Sequence, residues 1–272
     1  MPELPEVETV KKGLIKKVKC LTITDCKVLW PGIIAYPKKE EFINNIKNQT
    51  INDISRKGKI LIFILDDYYL TSHLRMEGKY FIKEPNVPLS KHDHVIFSLS
   101  NNLELRYNDT RKFGKMHLVK KDELDKTPLA NLGKEPWDKE LTTAYLKEKL
   151  NKKKAIKTLL LDQSIITGIG NIYADEILFS SHINPETYGE NLTKKNLSDI
   201  IDNTRNILST AIELGGTTIH TYTSVDGITG LFQQKLLVHG KKDLPCPKCG
   251  TIIKKIEVNG RGTYYCPKCQ KK

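Results

Sequence analysis

Four of the six cysteines stand as two pairs near the end of the chain, Cys246-Pro247-Lys248-Cys249 and Cys266-Pro267-Lys268-Cys269, with sixteen residues between the pairs. Two intervening residues let both thiolates of a pair face one point, and two such pairs can close a tetrahedral zinc site. Two disulfides are the competing use of four thiols. The segment between reads as a hairpin: residues 251–253 and 256–258 are strand-like, Asn259-Gly260 is a turn signal, and residues 263–265 return. A zinc ion with all four positions taken by sulfur is structural and performs no chemistry. Cys20 and Cys26 are left over, in and beside a strand-like stretch, and are expected as small core residues.

The other end reads Met1-Pro2-Glu3-Leu4-Pro5-Glu6-Val7. Removal of Met1 would leave a secondary amine at Pro2. An α-amino group titrates at about 7.7–8.0, so a useful fraction is unprotonated near neutral pH. Such an amine can attack a sugar carbon and form a Schiff base. With a secondary amine the adduct is an iminium that stays charged at any pH, a fixed electron sink suited to elimination. Glu3 and Glu6 supply carboxylates beside it. The plainer use of these residues is a helix start, where Pro and Glu suit the first turn. Val7, Val10, Leu14 and Val18 indeed recur at helical spacing.

A chain of 272 residues holds one large or two ordinary domains plus a small module. Its first apolar face is interrupted by lysines, and no apolar run approaches the ~18–20 residues of a membrane span. A soluble, cytoplasmic protein is expected, in keeping with metal-bound cysteines. Lys and Arg number 44 against 32 acids, a formal charge of +12. Residues 240–272 carry nine Lys or Arg against two acids, a formal +7. This excess favours a polyanion partner.

Residues 1–19 read as a helix and 20–120 mostly as strands, with a helix at 39–46. Pro128, Gly133 and Pro136 mark 121–137 as a linker. Residues 138–214 read as helical, with an amphipathic run from Asn191 to Leu214 ended by Gly215-Gly216, and 217–240 read as a loop. The expected division is a β-rich domain over 1–120, a linker over 121–137, a helical domain over 138–236 and a zinc ribbon over 237–272.

Three constellations lie between the ends. Thr167-Gly168-Ile169-Gly170-Asn171 precedes a helix, a layout that offers backbone N–H groups and a helix dipole to a phosphate. With no strand before it and no third glycine in place, it is not a dinucleotide fingerprint. Lys152, Lys153 and Lys154 just upstream are phosphate contacts or a solvated face. The turns Ser72-His73-Leu74-Arg75-Met76-Glu77-Gly78 and Asp109-Thr110-Arg111-Lys112-Phe113-Gly114 carry large side chains. Met76 and Phe113 are either wedges between base steps, with Arg111 filling the gap of an extruded base, or core residues. His92 and His94 either touch phosphate or sit as edge residues. Lys59, at the mouth of an apolar strand, either holds a phosphate or proton or is a solvated strand end.

Taken together, the start Pro2 to Thr9, Gly58-Lys59, the two turns, Gly168 to Ala174, and Gly260-Arg261-Gly262-Thr263 with the four cysteines resemble bacterial formamidopyrimidine-DNA glycosylase, in order over essentially the whole chain. The resemblance is closer than to the sister endonuclease VIII, whose start carries Gly at the position of Leu4. It implies an α+β fold of two lobes: an N-terminal β-sandwich with flanking helices, and a C-terminal helical domain with a helix–two-turn–helix plus the zinc hairpin. It implies a monomeric, bacterial repair enzyme, nucleoid-associated through DNA, that excises oxidised purines from duplex DNA and then cleaves the strand by β,δ-elimination, with one structural Zn2+ as cofactor. By this likeness Pro2 is the nucleophile, Glu3 a proton donor supported by Glu6, and Lys59 and Arg261 serve the two eliminations. His73, Met76, His92, Arg111, Phe113, Lys152, Gly170 and Asn171 match DNA-binding positions, and a loop at 221–232 matches the base-capping loop. The alternatives are an endonuclease VIII-like enzyme for oxidised pyrimidines and a non-enzymatic zinc-ribbon DNA-binding protein.

Overall fold

The computed structural model describes residues 1–217 and 230–271. The base-capping loop expected at 221–232 therefore lies outside the described residues up to residue 229. Two compact units emerge: Met1–Ala130 with the return segment Thr217–Gly230, of which Thr217 and Gly230 are described, and Asn131–Gly216 with Leu231–Lys272.

The first unit begins with α1 (Leu4–Val18), in which Glu3 and Glu6 form a capping box. Its strands are β1 (Ile23–Val28), β2 (Ile34–Tyr36), β3 (Asp53–Lys57), β4 (Ile60–Ile64), β5 (Tyr68–His73), β6 (Lys79–Lys83), β7 (Asp93–Leu99), β8 (Glu104–Asn108) and β9 (Lys115–Lys120), with α2 (Lys39–Ile46) between β2 and β3. They form a four-stranded sheet ordered β1-β7-β8-β6 and a five-stranded sheet ordered β2-β9-β5-β4-β3. The two sheets share one core with the apolar stripe of α1: Val7, Val10, Leu14, Phe63, Leu70, Val95, Phe97, Leu105 and Met116 all belong to it. Tyr80 stitches the layers. Its ring lies edge-on to Phe63 at 5.7 Å and Tyr107 at 5.2 Å, and its hydroxyl donates to Ser72 Oγ at 2.8 Å. A polar tip satisfied inside an apolar layer removes the penalty of burying it.

The second unit holds α3 (Thr143–Leu150), α4 (Ile156–Leu160), α5 (Asn171–Ser180), α6 (Lys194–Glu213) and the hairpin of β10 (Lys254–Val258) and β11 (Arg261–Tyr265). In α6, Thr193 and Asn196 form a capping box, and Leu197, Ile200, Ile201, Thr204 and Leu208 line the buried face. The helix starts later than the apolar run from Asn191, because residues 189–191 form a separate 3-10 turn.

Two further expectations are corrected. Cys26 is buried but Cys20 is exposed: its φ of 64° puts it in the left-handed turn after α1, where it points away from the core. Residues 251–253 are not a ladder strand. Ile252 makes a lone bridge to Pro245, and its side chain is 49% exposed, whereas Ile253 is fully buried.

Candidate active site

At the start of α1 the Glu6 carboxylate works at both ends. One oxygen accepts the Glu3 N–H at 2.8 Å; the other accepts the Thr217 N–H at 2.7 Å and its hydroxyl at 3.1 Å. Glu3 and Glu6 are each 3% exposed, and Pro2 is buried beside them. Three hydrogen bonds to one carboxylate fix the backbone next to Pro2.

Lys59 sits in the two-residue turn between β3 and β4, where Lys57 pairs with Ile60. Gly58 takes φ 57°, a conformation glycine adopts without steric cost. Arg56 ties this turn to α1, donating from Nη1 to Gly58 O and from Nε to Glu8 Oε2, both at 2.9 Å. Although on a turn, Lys59 is only 6% exposed. His73, at the end of β5, pairs in register with Ile60. Its Nδ1 accepts the Arg75 N–H at 3.0 Å. Burial first, then the charges of Arg75 and Lys59, push the His73 pKa down to about 3, so the ring is neutral near pH 7.

The loop after β8 is organised by Asp109, which is fully buried. Its carboxylate accepts the N–H groups of Arg111 at 2.9 Å, Phe113 at 2.9 Å and Gly114 at 2.8 Å. The result presents Phe113 at 48% exposure, with the Arg111 guanidinium 4.7 Å from its ring centre. Met76, on the neighbouring turn, is 39% exposed. Both apolar side chains are thus surface residues, not core. Tyr107 lies between the two turns: a Cβ built on Gly78 would stand 2.3 Å from its hydroxyl, and one on Gly114 only 1.7 Å away. His92 is half-buried, and its carbonyl accepts the Asp109 N–H at 3.0 Å. His94 is not a surface candidate: it is 2% exposed, and its Nε2 hydrogen bonds to Asp109 O at 2.7 Å.

In the second unit Gly170 caps α5 and Asn171 opens it. The preceding turn is held by Gln163, whose side chain accepts the Gly168 N–H and donates to Leu161 O and Ile169 O. Lys152, Lys153 and Lys154 are all exposed. Asn171 Nδ2 donates to Gly262 O at 3.0 Å, so the start of α5 is tied to the residue after Arg261. Arg261 itself is exposed at the first position of β11, following the Asn259-Gly260 turn. Lys157, Asp175 and Glu176 are residues that sequence reasoning missed. Each is at most 2% exposed, and each is a charge inside an otherwise apolar helical segment, a pattern that signals a buried partner.

Among the described residues one group has metal-ligand character: Cys246, Cys249, Cys266 and Cys269, whose ligand atoms all lie within 4.8 Å of one another. The sulfurs of Cys246 and Cys269 are 3.9 Å apart, and those of Cys249 and Cys266 are 3.5 Å apart. Tetrahedral Zn–S bonds of about 2.3 Å space sulfurs at roughly 3.8 Å. Burial first, and the three neighbouring thiols next, push the Cys269 thiol up to about 12, and a divalent cation is what allows all four to ionise together. The four residues fit one structural zinc.

Comparison with known proteins places this arrangement. Residues 1–116 match the formamidopyrimidine-DNA glycosylase N-terminal domain, 132–223 the formamidopyrimidine-DNA glycosylase H2TH domain, and 243–272 the zinc finger found in FPG and IleRS. The chain belongs to the formamidopyrimidine-DNA glycosylase family. It is 48% identical to the formamidopyrimidine-DNA glycosylase of Bacillus subtilis and 50% identical to that of Bacillus licheniformis, in each case over 100% of both chains. Among solved structures, a Lactococcus lactis FPG mutant in complex with a Fapy-dG containing DNA matches with a TM-score of 0.94 at 40% identity, covering 100% of both chains.

Proposed function

We infer that this protein is a bifunctional DNA repair enzyme that removes oxidised purines, 8-oxoguanine and formamidopyrimidines, from duplex DNA and then cleaves the strand. The observation that carries the reading is the Glu6 clamp on the backbone beside Pro2, in a chain so close over its full length to relatives of that name. The reading places the enzyme in the cytoplasm, acting as a monomer on the nucleoid.

With Met1 removed, the Pro2 amine attacks C1′ of the extruded nucleotide, and the bond from C1′ to the damaged base breaks. Glu3 protonates the sugar ring oxygen as the ring opens, leaving a cationic iminium between Pro2 and C1′. That cation acidifies C2′. Loss of the C2′ proton expels the 3′ phosphate by breaking the C3′–O bond, and Lys59 donates a proton to the departing group. Loss of the C4′ proton then expels the 5′ phosphate by breaking the C5′–O bond, with Arg261 as donor. Addition of water to C1′ of the remaining iminium then frees the Pro2 amine and releases the sugar fragment as an unsaturated aldehyde. Met76, Arg111 and Phe113 fill the space of the extruded base. His73, His92, Lys152, Gly170 and Asn171 hold phosphates; His73 does so as a neutral donor. The zinc, when bound, orders the ribbon and supplies no step.

Borohydride trapping on an 8-oxoguanine duplex, with mass mapping of the linked residue, tests this. The expected adduct is on Pro2, is absent when Met1 is retained or a tag precedes it, and forms faster on 8-oxoguanine than on a thymine glycol duplex. An adduct on any other residue would overturn the nucleophile, and a preference for thymine glycol would overturn the substrate class.

A further inference from the structure

Arg261 is exposed on a short hairpin, yet three backbone groups around it, Arg261 O, Gly262 O and the Tyr264 N–H, are bonded to side chains that are buried or half-buried. Arg261 O accepts the Thr263 hydroxyl at 2.9 Å, and Thr263 is fully buried. Gly262 O accepts both Lys157 Nζ at 3.1 Å and Asn171 Nδ2 at 3.0 Å. Tyr264 N–H points to Asp175 Oδ2 at 3.3 Å. Asp175 also pairs with Lys157 Nζ at 2.6 Å through Oδ1 and with His239 Nδ1 at 2.7 Å through Oδ2. Lys157 is 0% exposed and Asp175 1%. The neighbouring Glu176 accepts the N–H groups of Leu237, Val238 and His239 at 2.8–3.0 Å, which fixes the strand of chain that brings His239 to Asp175.

A buried Lys–Asp pair is rarely worth keeping for stability alone, because desolvation offsets most of its attraction. Here the pair lies under the one stretch of the ribbon that carries an exposed arginine, and it grips two peptide groups of β11 from below. We propose that Asp175, acting through Lys157 and the β11 backbone, is a positioning residue for Arg261, and so governs the second elimination and not base release. The proposal rests on the role given to Arg261 above. The other residues of the reaction, Pro2, Glu3 and Lys59, belong to the first unit, whereas every bond of this network lies in the second.

The test uses full-length, zinc-loaded protein with Met1 removed, an 8-oxoguanine duplex, and the variants Asp175→Asn, Thr263→Val and Thr263→Ser. The readouts are base release, the ratio of 3′-phosphate to 3′-unsaturated-aldehyde ends, and amide hydrogen exchange over residues 262–264. A small displacement of a donor costs roughly tenfold or more in its own step. Asp175→Asn is therefore expected to lower the 3′-phosphate ratio roughly tenfold while base release stays within about twofold, and to speed exchange at Gly262 and Tyr264. Thr263→Val is expected to lower the ratio and Thr263→Ser to leave it unchanged. A wild-type ratio in folded, zinc-bound Asp175→Asn would overturn the proposal, as would an equal fall in base release. If Asp175→Asn loses zinc or fails to fold, the Thr263 pair decides: equal ratios in the two variants overturn it. If the wild-type protein itself forms no adduct and cuts nothing, the functional reading has failed instead; unchanged exchange at 262–264 would then still overturn the positioning role.

Discussion

The loop that displays Arg111 and Phe113 and the hairpin that displays Arg261 are each arranged around one buried aspartate, but the two aspartates draw on different partners. Asp109 binds three backbone N–H groups within five residues of itself. Asp175 binds a lysine 18 residues earlier, a histidine 64 residues later and a backbone N–H 89 residues later. The first arrangement is local: the chain wraps its own carboxylate, so the loop's shape follows once β8 ends. The second is assembled from α4, α5, the segment before the ribbon and β11, and the ribbon in turn depends on a metal. A locally closed loop keeps its shape when its surroundings loosen. A hairpin held from several distant points reports the state of all of them.

Zinc removal separates the two most sharply. Chelation or Cys249→Ser forfeits a binding free energy that reaches about 10–16 kcal/mol in isolated zinc modules. Exchange protection over β11 and strand cleavage are expected to be lost, while the amides of Arg111, Phe113 and Gly114 keep theirs. Equal loss at both places would break the contrast. Next in size, Asp109→Ala orphans three donors at once and is expected to cost about 2–4 kcal/mol in urea unfolding, with zinc content unchanged. A cost below about 1 kcal/mol would mean that water replaces the carboxylate without penalty. The smallest effect concerns His73. Its folded pKa of about 3 lies below the ordinary value of 6.5, so between those limits the unfolded chain binds the proton that the native ring refuses. Stability should therefore fall as pH drops from 6.5 toward 3, and His73→Gln should flatten that slope, read as the urea midpoint against pH. Parallel slopes in the two proteins would refute the assignment.

The same contrast explains what could be read from the sequence. Features written in neighbouring residues were legible: the capped helix α1, the paired cysteines, the Asn259-Gly260 turn and the alternating strands. Met76 and Phe113 were placed on turns correctly, but their exposure depends on Tyr107 and Asp109 filling the space beneath them. The pair Ile252-Ile253 reads as a strand by composition, yet Ile253 enters the ribbon core with Phe179, Val238 and two cysteines, and Ile252 faces outward. Cys20 reads as core by its neighbours until a left-handed turn is known to sit there. The Lys157–Asp175 network had a local trace, charges in apolar helices, but its meaning lay in Gly262, 105 residues beyond Lys157. Long-range partners leave no mark on a window of sequence.

Tyr107 sets a limit on how the first unit can diverge. Its phenol occupies the room that a methyl group would need at Gly114 and part of the room needed at Gly78, and the ring carbon bearing the oxygen would still lie 2.7 Å from a Gly114 Cβ. Trimming Tyr107 to Phe would therefore not admit alanine at 114, and the Leu74 carbonyl bars alanine at 78 whatever stands at 107. Glycine is therefore held at 78 by the backbone of its own turn and at 114 by the ring behind it, two separate restraints that a change of the phenol to a phenyl leaves in force.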